Sequence, residues 1–124
     1  MAMTLTSNSF KDGDYLGQEH ILSADYGFGC GGGNKSPHLR WEGAPAGTKS
    51  FALTCFNPDA PTGSGFWHWV VVNVPSGVTE LAVDAGNPAS AKLPVTADTA
   101  AAVVGFYLNF NTLAKASLMG LYKR

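Results

Sequence analysis

Apolar and polar residues alternate along Ser50-Phe51-Ala52-Leu53-Thr54-Cys55-Phe56, which sets Phe51, Leu53 and Cys55 on one face and predicts a largely buried strand. Trp69-Val70-Val71-Val72-Asn73-Val74 is almost continuously β-branched, the pattern of a central strand covered on both faces. Strict alternation there places Trp67 and Trp69 on one face and His68 with Val70 on the other. Between the two runs, Asn57-Pro58-Asp59-Ala60-Pro61-Thr62-Gly63-Ser64-Gly65 consists of turn-forming or small residues and reads as a loop. The texture changes towards the C-terminus. Asp98 is placed to cap a helix beginning at Thr99, and Val103, Phe106, Tyr107 and Phe110 fall at i, i+3, i+4 and i+7 as one apolar stripe. Ala116 to Tyr122 then reads as a last strand before Lys123-Arg124.

Turn residues punctuate the N-terminal part at Lys11 to Asp14, Tyr26 to Asn34 and Gly43 to Gly47. The 15 glycines and 7 prolines favour many short strands over a helix bundle. A length of 124 residues fits one domain, 1–124, and 45% hydrophobic with 14% charged residues excludes a disordered, highly charged chain. The formal net charge is −1 and no run of like charges occurs, so the electrostatic footprint of a nucleic-acid or anionic-membrane binder is missing. No apolar run is long enough for a transmembrane helix, and Met1 to Phe10 lacks the basic and apolar regions of a secretory signal, which makes the cytoplasm the expected compartment. In a reducing compartment Cys30 and Cys55 are expected as thiols.

Several constellations carry possible chemistry. Gly27, Gly29 and Gly32 satisfy G-x-G-x-x-G, but Gly33-Asn34-Lys35-Ser36-Pro37 cannot open the helix that would hold a pyrophosphate, so a turning loop is the better reading. His20, His38, Cys30 and Cys55 are scattered without metal-ligand spacing, and neither a metal nor a cofactor is expected. Ser64 lacks the spacing of a nucleophile elbow. Asp59 and His68 form the strongest pair, because a carboxylate beside an imidazole favours the protonated donor that suits anion binding or acid/base catalysis. A histidine satisfied by a loop carbonyl explains the same spacing.

The segment Asn57-Pro58-Asp59-Ala60-Pro61 followed by Phe66-Trp67-His68-Trp69 resembles the D-P-D-A-P … (F/W)-x-H-W motif of the phosphatidylethanolamine-binding protein family, also called Raf kinase inhibitor-like proteins, in its bacterial branch. Asn34-Lys35-Ser36-Pro37-His38-Leu39-Arg40-Trp41 and Pro45-Ala46-Gly47-Thr48-Lys49-Ser50-Phe51-Ala52-Leu53 are similar to its N-x-S-P-x-L-x-W and P-x-G-T-K-S-F-A-L stretches, and Leu113 to Tyr122 to its C-terminal ending.

The resemblance implies an antiparallel Greek-key β-sandwich with a C-terminal α-helix, and a small pocket for phosphate or a phospholipid head group. Carried over residue by residue, that pocket falls on Asn57, Asp59, Pro61 and His68. Asn57 stands where the family has a carboxylate, so His68 is held protonated less strongly. Family members also carry, before the C-terminal helix, a block of several tens of residues with a central strand and part of the pocket; here Lys92 to Asp98 joins the flanks directly. Weaker ligand binding and association of copies through exposed strand edges are the expected consequences. The resemblance thus implies a non-enzymatic anion-binding module. Two alternatives are a protein that regulates a kinase or protease by interaction, and a weak hydrolase using His68 as acid/base.

Overall fold

A computed structural model of the chain describes residues 3–26, 31–58, 63–94 and 97–101. Six strands make two antiparallel sheets: β1 (Thr4–Thr6), β2 (Leu39–Glu42) and β5 (Glu80–Leu81) in the order β1-β2-β5, and β3 (Ser50–Asn57), β4 (Phe66–Pro75) and β6 (Asp98–Ala101) in the order β3-β4-β6. The chain passes between the sheets three times, after β2, after β4 and after β5. The mainly β, sandwich architecture expected from the sequence is therefore observed.

Period-two patterning puts one face of each sheet in the core. In β2, Leu39 and Trp41 are buried while Arg40 and Glu42 are exposed. From the other sheet come Phe51, Leu53, Trp69, Val71 and Val74, and all of these join Leu81 and Ala85 in one cluster. Trp41 and Phe51 meet edge-on across the two sheets, with ring centroids 5.5 Å apart, a geometry favoured by the ring quadrupoles.

Strand β4 departs from regular alternation twice. Cys55 pairs with Trp69 but Phe56 pairs with Trp67, so His68 is an extra residue on β4. Phe51 pairs with Val74 and Leu53 with Val71, setting Val72 and Asn73 against Ala52 alone, with Asn73 in the left-handed region at φ 58°. The first irregularity corrects the expectation that Trp67 and Trp69 share a face: Trp69 is buried in the core, whereas Trp67 is 49% exposed and lies on Phe56 with centroids 4.6 Å apart. The run is also not covered on both faces, since Val72 and Asn73 are exposed.

The expected helix start at Asp98 is likewise corrected. Asp98–Ala101 forms β6, with Asp98 opposite Val72 and Ala101 opposite Trp69. Pairing satisfies backbone groups along an edge of β4, and this tertiary demand outweighs the helix propensity of alanine. The stripe Val103 to Phe110 and the strand expected over Ala116 to Tyr122 lie outside the described residues.

The glycine cluster has a packing role where it is described. Gly32 and Gly33 donate to Leu22 O and Gln18 O at 2.9 and 3.0 Å, and Asn34 to Ile21 O at 2.7 Å. A Cβ on Gly32 would stand 2.4 Å from Ile21 O, so only glycine permits this approach. Gly27 and Gly29 lie outside the described residues.

Cys55 is a free thiol whose pKa burial pushes up from an ordinary 9.0 to about 12. Cys30 lies outside the described residues.

Three outcomes are expected from this packing. Trp69→Ala should cost about 3–5 kcal/mol of unfolding free energy and Trp67→Ala only about 1, so equal losses in urea titrations would contradict the extra residue at His68. Gly32→Ala should cost about 1–3 kcal/mol, while Gly31→Ala, whose new methyl meets nothing within 4 Å, leaves stability nearly unchanged. Because the folded thiol binds its proton more tightly than the unfolded one, Cys55 contributes stability below pH 9.0 that is lost as pH rises towards 12. In a Cys30→Ser chain near neutral pH, Cys55 should resist iodoacetamide until urea unfolds the protein; rapid labelling of the native form would contradict its burial.

Candidate functional site

The candidate site is built at the end of the β3–β4 pair that carries the connecting loop. Asn57, the last residue of β3, stands opposite Phe66, the first of β4. His68 follows two residues later as the extra residue of the register shift between Trp67 and Trp69. Both polar side chains are buried, Asn57 at 5% and His68 at 3% exposure. Phe66 packs edge-on against the imidazole, with centroids 5.0 Å apart and planes at 79°. One apolar wall of the His68 environment is thus supplied by its own strand.

The approach of the loop to β4 is fixed by Gly65. Its φ is 79°, and a Cβ there would lie 2.5 Å from Phe56 Cζ and 2.8 Å from Asn57 O. A side chain at this position would therefore push on both the aromatic ledge and the backbone of Asn57. The structure brings Asn57 and His68 to one end of one strand pair. Asp59 and Pro61, the other two residues expected in the pocket, lie outside the described residues. Ser64 is exposed in the turn before Gly65, with no described histidine hydrogen-bonded to it.

The other histidines hold structure together. His38, at the mouth of β2, accepts from Asn8 N–H through Nδ1 at 3.0 Å and donates through Nε2 to Glu80 Oε2 at 3.2 Å. A ring nitrogen that accepts carries no proton, so these partners assign the neutral Nε2–H form. Its backbone is also held, with His38 N–H donating to Ser9 Oγ and His38 O accepting from Ser7 Oγ. His38 thereby ties the segment after β1 to β5. His20 is fully buried and donates from Nδ1 to Lys35 O at 2.9 Å, which clamps the glycine segment onto Gln18–His20. Among the described residues no group of three or more His, Cys, Asp or Glu could hold a metal ion.

Sequence reasoning did not single out Phe66 or Gly65 as parts of the site. The signal for Phe66 was its place at the head of the F-W-H-W run; the signal for Gly65 was a glycine immediately before a strand. Among the described residues, no helix is long and apolar enough to cross a membrane.

Comparison with known proteins places this geometry in a family. Residues 6–99 match the family model described as phosphatidylethanolamine-binding protein. The chain is 57% identical to the UPF0098 protein YbcL of Escherichia coli over 96 residues, which cover 77% of this chain and 51% of YbcL. It is 36% identical to the UPF0098 protein YbhB of the same organism over 160 aligned positions, covering 97% of this chain and 99% of YbhB. The chain thus spans about half the length of YbcL and nearly all of YbhB. The crystal structure of E. coli YbcL, described as a new member of the mammalian PEBP family, superposes with a TM-score of 0.71 at 57% identity, over 77% of this chain and 56% of that one. A phosphatidylethanolamine-binding protein homologue from Chlamydia trachomatis gives a TM-score of 0.56 at 30% identity, over 67% of this chain and 52% of the other. The two-sheet fold, the motif around His68 and these likenesses lead to one conclusion: the chain belongs to the phosphatidylethanolamine-binding protein family.

Proposed function

We propose that this chain is a binding module for a small anion of the phosphate type, with the ligand held where the β3–β4 loop meets His68. The observation that carries this reading is the burial of His68 and Asn57 together at the loop-bearing end of one strand pair. A buried imidazole becomes a strong donor when an anion offsets its charge, and a charge-assisted hydrogen bond to a phosphate oxygen is about twice as strong as a neutral one. Asn57 contributes an amide in place of a carboxylate. Asp59 and Pro61 complete the proposed set by the resemblance of their motif to the family's: a carboxylate there would favour the protonated imidazole and a proline would shape a dry wall. The role is binding rather than catalysis. Among the described residues, Ser64 is exposed in a turn and the Cys55 thiol is held protonated by burial, so neither is an activated nucleophile.

The domain is internally shortened near residues 92–98. Support comes from the match with YbhB: 97% of 124 residues is about 120, so of the 160 aligned positions roughly 40 face no residue of this chain. Shortening thins the pocket wall and lowers ligand affinity. It also bares strand edges, through which copies of the chain associate.

The test follows the imidazole of His68 by NMR while inorganic phosphate, phosphoethanolamine or phosphatidylethanolamine vesicles are added. The expected result is a saturable shift of the His68 ring resonances at millimolar phosphate that vanishes in His68→Ala. A head-group ligand moves them at lower concentration with phosphoethanolamine or vesicles than with phosphate. Unmoved His68 resonances in all three titrations would overturn the reading. Turnover of phosphate or carboxyl esters that is lost in His68→Ala would replace it with a hydrolase.

A further inference from the structure

His38 stands immediately before β2, between two segments far from it in sequence, and commits one ring nitrogen to each. Nδ1 accepts from Asn8 N–H at 3.0 Å, and Nε2 donates to Glu80 Oε2 of β5 at 3.2 Å. The imidazole is buried, whereas the Glu80 side chain is exposed. These two contacts respond oppositely to a proton. In the neutral Nε2–H form both are satisfied. A second proton has only Nδ1 to go to, and there it sets a ring N–H against the Asn8 N–H, two donors 3.0 Å apart with no acceptor between them. The same proton turns the contact with Glu80 into a charge-assisted ion pair.

We propose that His38 is a proton-operated latch on the N-terminal segment: neutral, it holds Asn8 against the start of β2; protonated, it releases Asn8 and tightens on Glu80. The latch is independent of the anion-binding reading, because no ligand enters it. Charged neighbours set its balance. From β5, Glu80 faces the ring and favours the proton. Arg40, on β2 and opposite Glu80 in the ladder, directs its Nε to Glu42 Oε1 at 3.6 Å and leaves the Glu80 carboxylate to His38. The segment after β1 meets His38 with Ser7, Asn8 and Ser9, none of them charged. What the latch governs is local. Asn8 lies two residues beyond β1, whose last residue Thr6 pairs with Arg40. His38 N–H donates to Ser9 Oγ at 3.0 Å and His38 O accepts from Ser7 Oγ, so two contacts remain when the ring contact is lost. Protonation therefore loosens the exit of β1 without detaching the strand, and the core cluster, which includes neither His38 nor residues 7–9, is untouched.

NMR on the full chain, titrated from neutral towards acid pH, tests this by following the His38 ring carbons and the exchange protection of the Asn8 amide together. The expected result is a fall of at least tenfold in Asn8 protection in step with protonation of His38. Over the same range the amide of Trp41, which donates to Thr79 O at 2.9 Å just before β5, keeps its protection. His38→Gln has no titrating ring and should leave Asn8 protection indifferent to pH. Glu80→Gln keeps an acceptor for Nε2–H but removes the charge that favours the proton, and should move the loss at Asn8 to lower pH. Should His38→Gln fail to fold, the paired titrations of the unaltered chain and of Glu80→Gln still decide the matter. Asn8 protection that stays flat while His38 titrates, a ring that stays neutral until the chain unfolds, or a loss at Asn8 that persists in His38→Gln would overturn the latch. Simultaneous loss at Asn8 and Trp41 would overturn it too, since that reports unfolding of the sheet rather than release of one segment.

Discussion

One extra residue in β4 organises this molecule. Because strand side chains alternate with period two, inserting a residue reverses the facing of everything beyond it. With His68 as the extra residue, Trp69 and Val71 enter the core, and the second irregularity at Val72 and Asn73 brings Val74 in after them. On the other side of the insertion, Trp67 swings out onto Phe56. The insertion also leaves the imidazole buried without placing it in the ladder opposite a β3 residue. Core packing and the candidate site are therefore two results of the same backbone event.

The core it feeds is thin, with short strands on one side and a long pair on the other. Trp41 of β2 reaches across to Phe51 of β3, and Leu39 stands beside Leu81. Around this, two histidines and several serines take up backbone groups that loops would otherwise leave unsatisfied. Ser36 Oγ accepts from Gly86 N–H at 2.9 Å, and His38 links the segment after β1 to β5. Polar residues that first look like chemistry in the sequence are largely spent on closing this small fold.

The strands β3 and β4 were legible because their apolar patterning is strong, whereas β2, only four residues long, lies in a stretch that carried a family resemblance and no strand reading. The facing of Trp67 was not, since a bulge changes register without any glycine or proline to announce it in the F-W-H-W run. The strand at Asp98–Ala101 was read as a helix start because aspartate before alanines satisfies a local rule, while the demand of β4 for a neighbour is a long-range fact. At the site, the motif identified Asn57 and His68, and the structure places them at one end of one strand pair. The close approach that makes Gly65 necessary depends on the ring of Phe56 nine positions earlier, which no local window contains.

Family membership and site geometry meet at His68, so the register of β4 is the claim on which the account stands. Cross-strand nuclear Overhauser effects in the folded chain measure it directly. The account predicts connectivities linking Cys55 with Trp69 and Phe56 with Trp67, with His68 as the extra residue between the two pairs. A regular ladder, with Phe56 facing His68 and Asn57 facing Trp67, would contradict it.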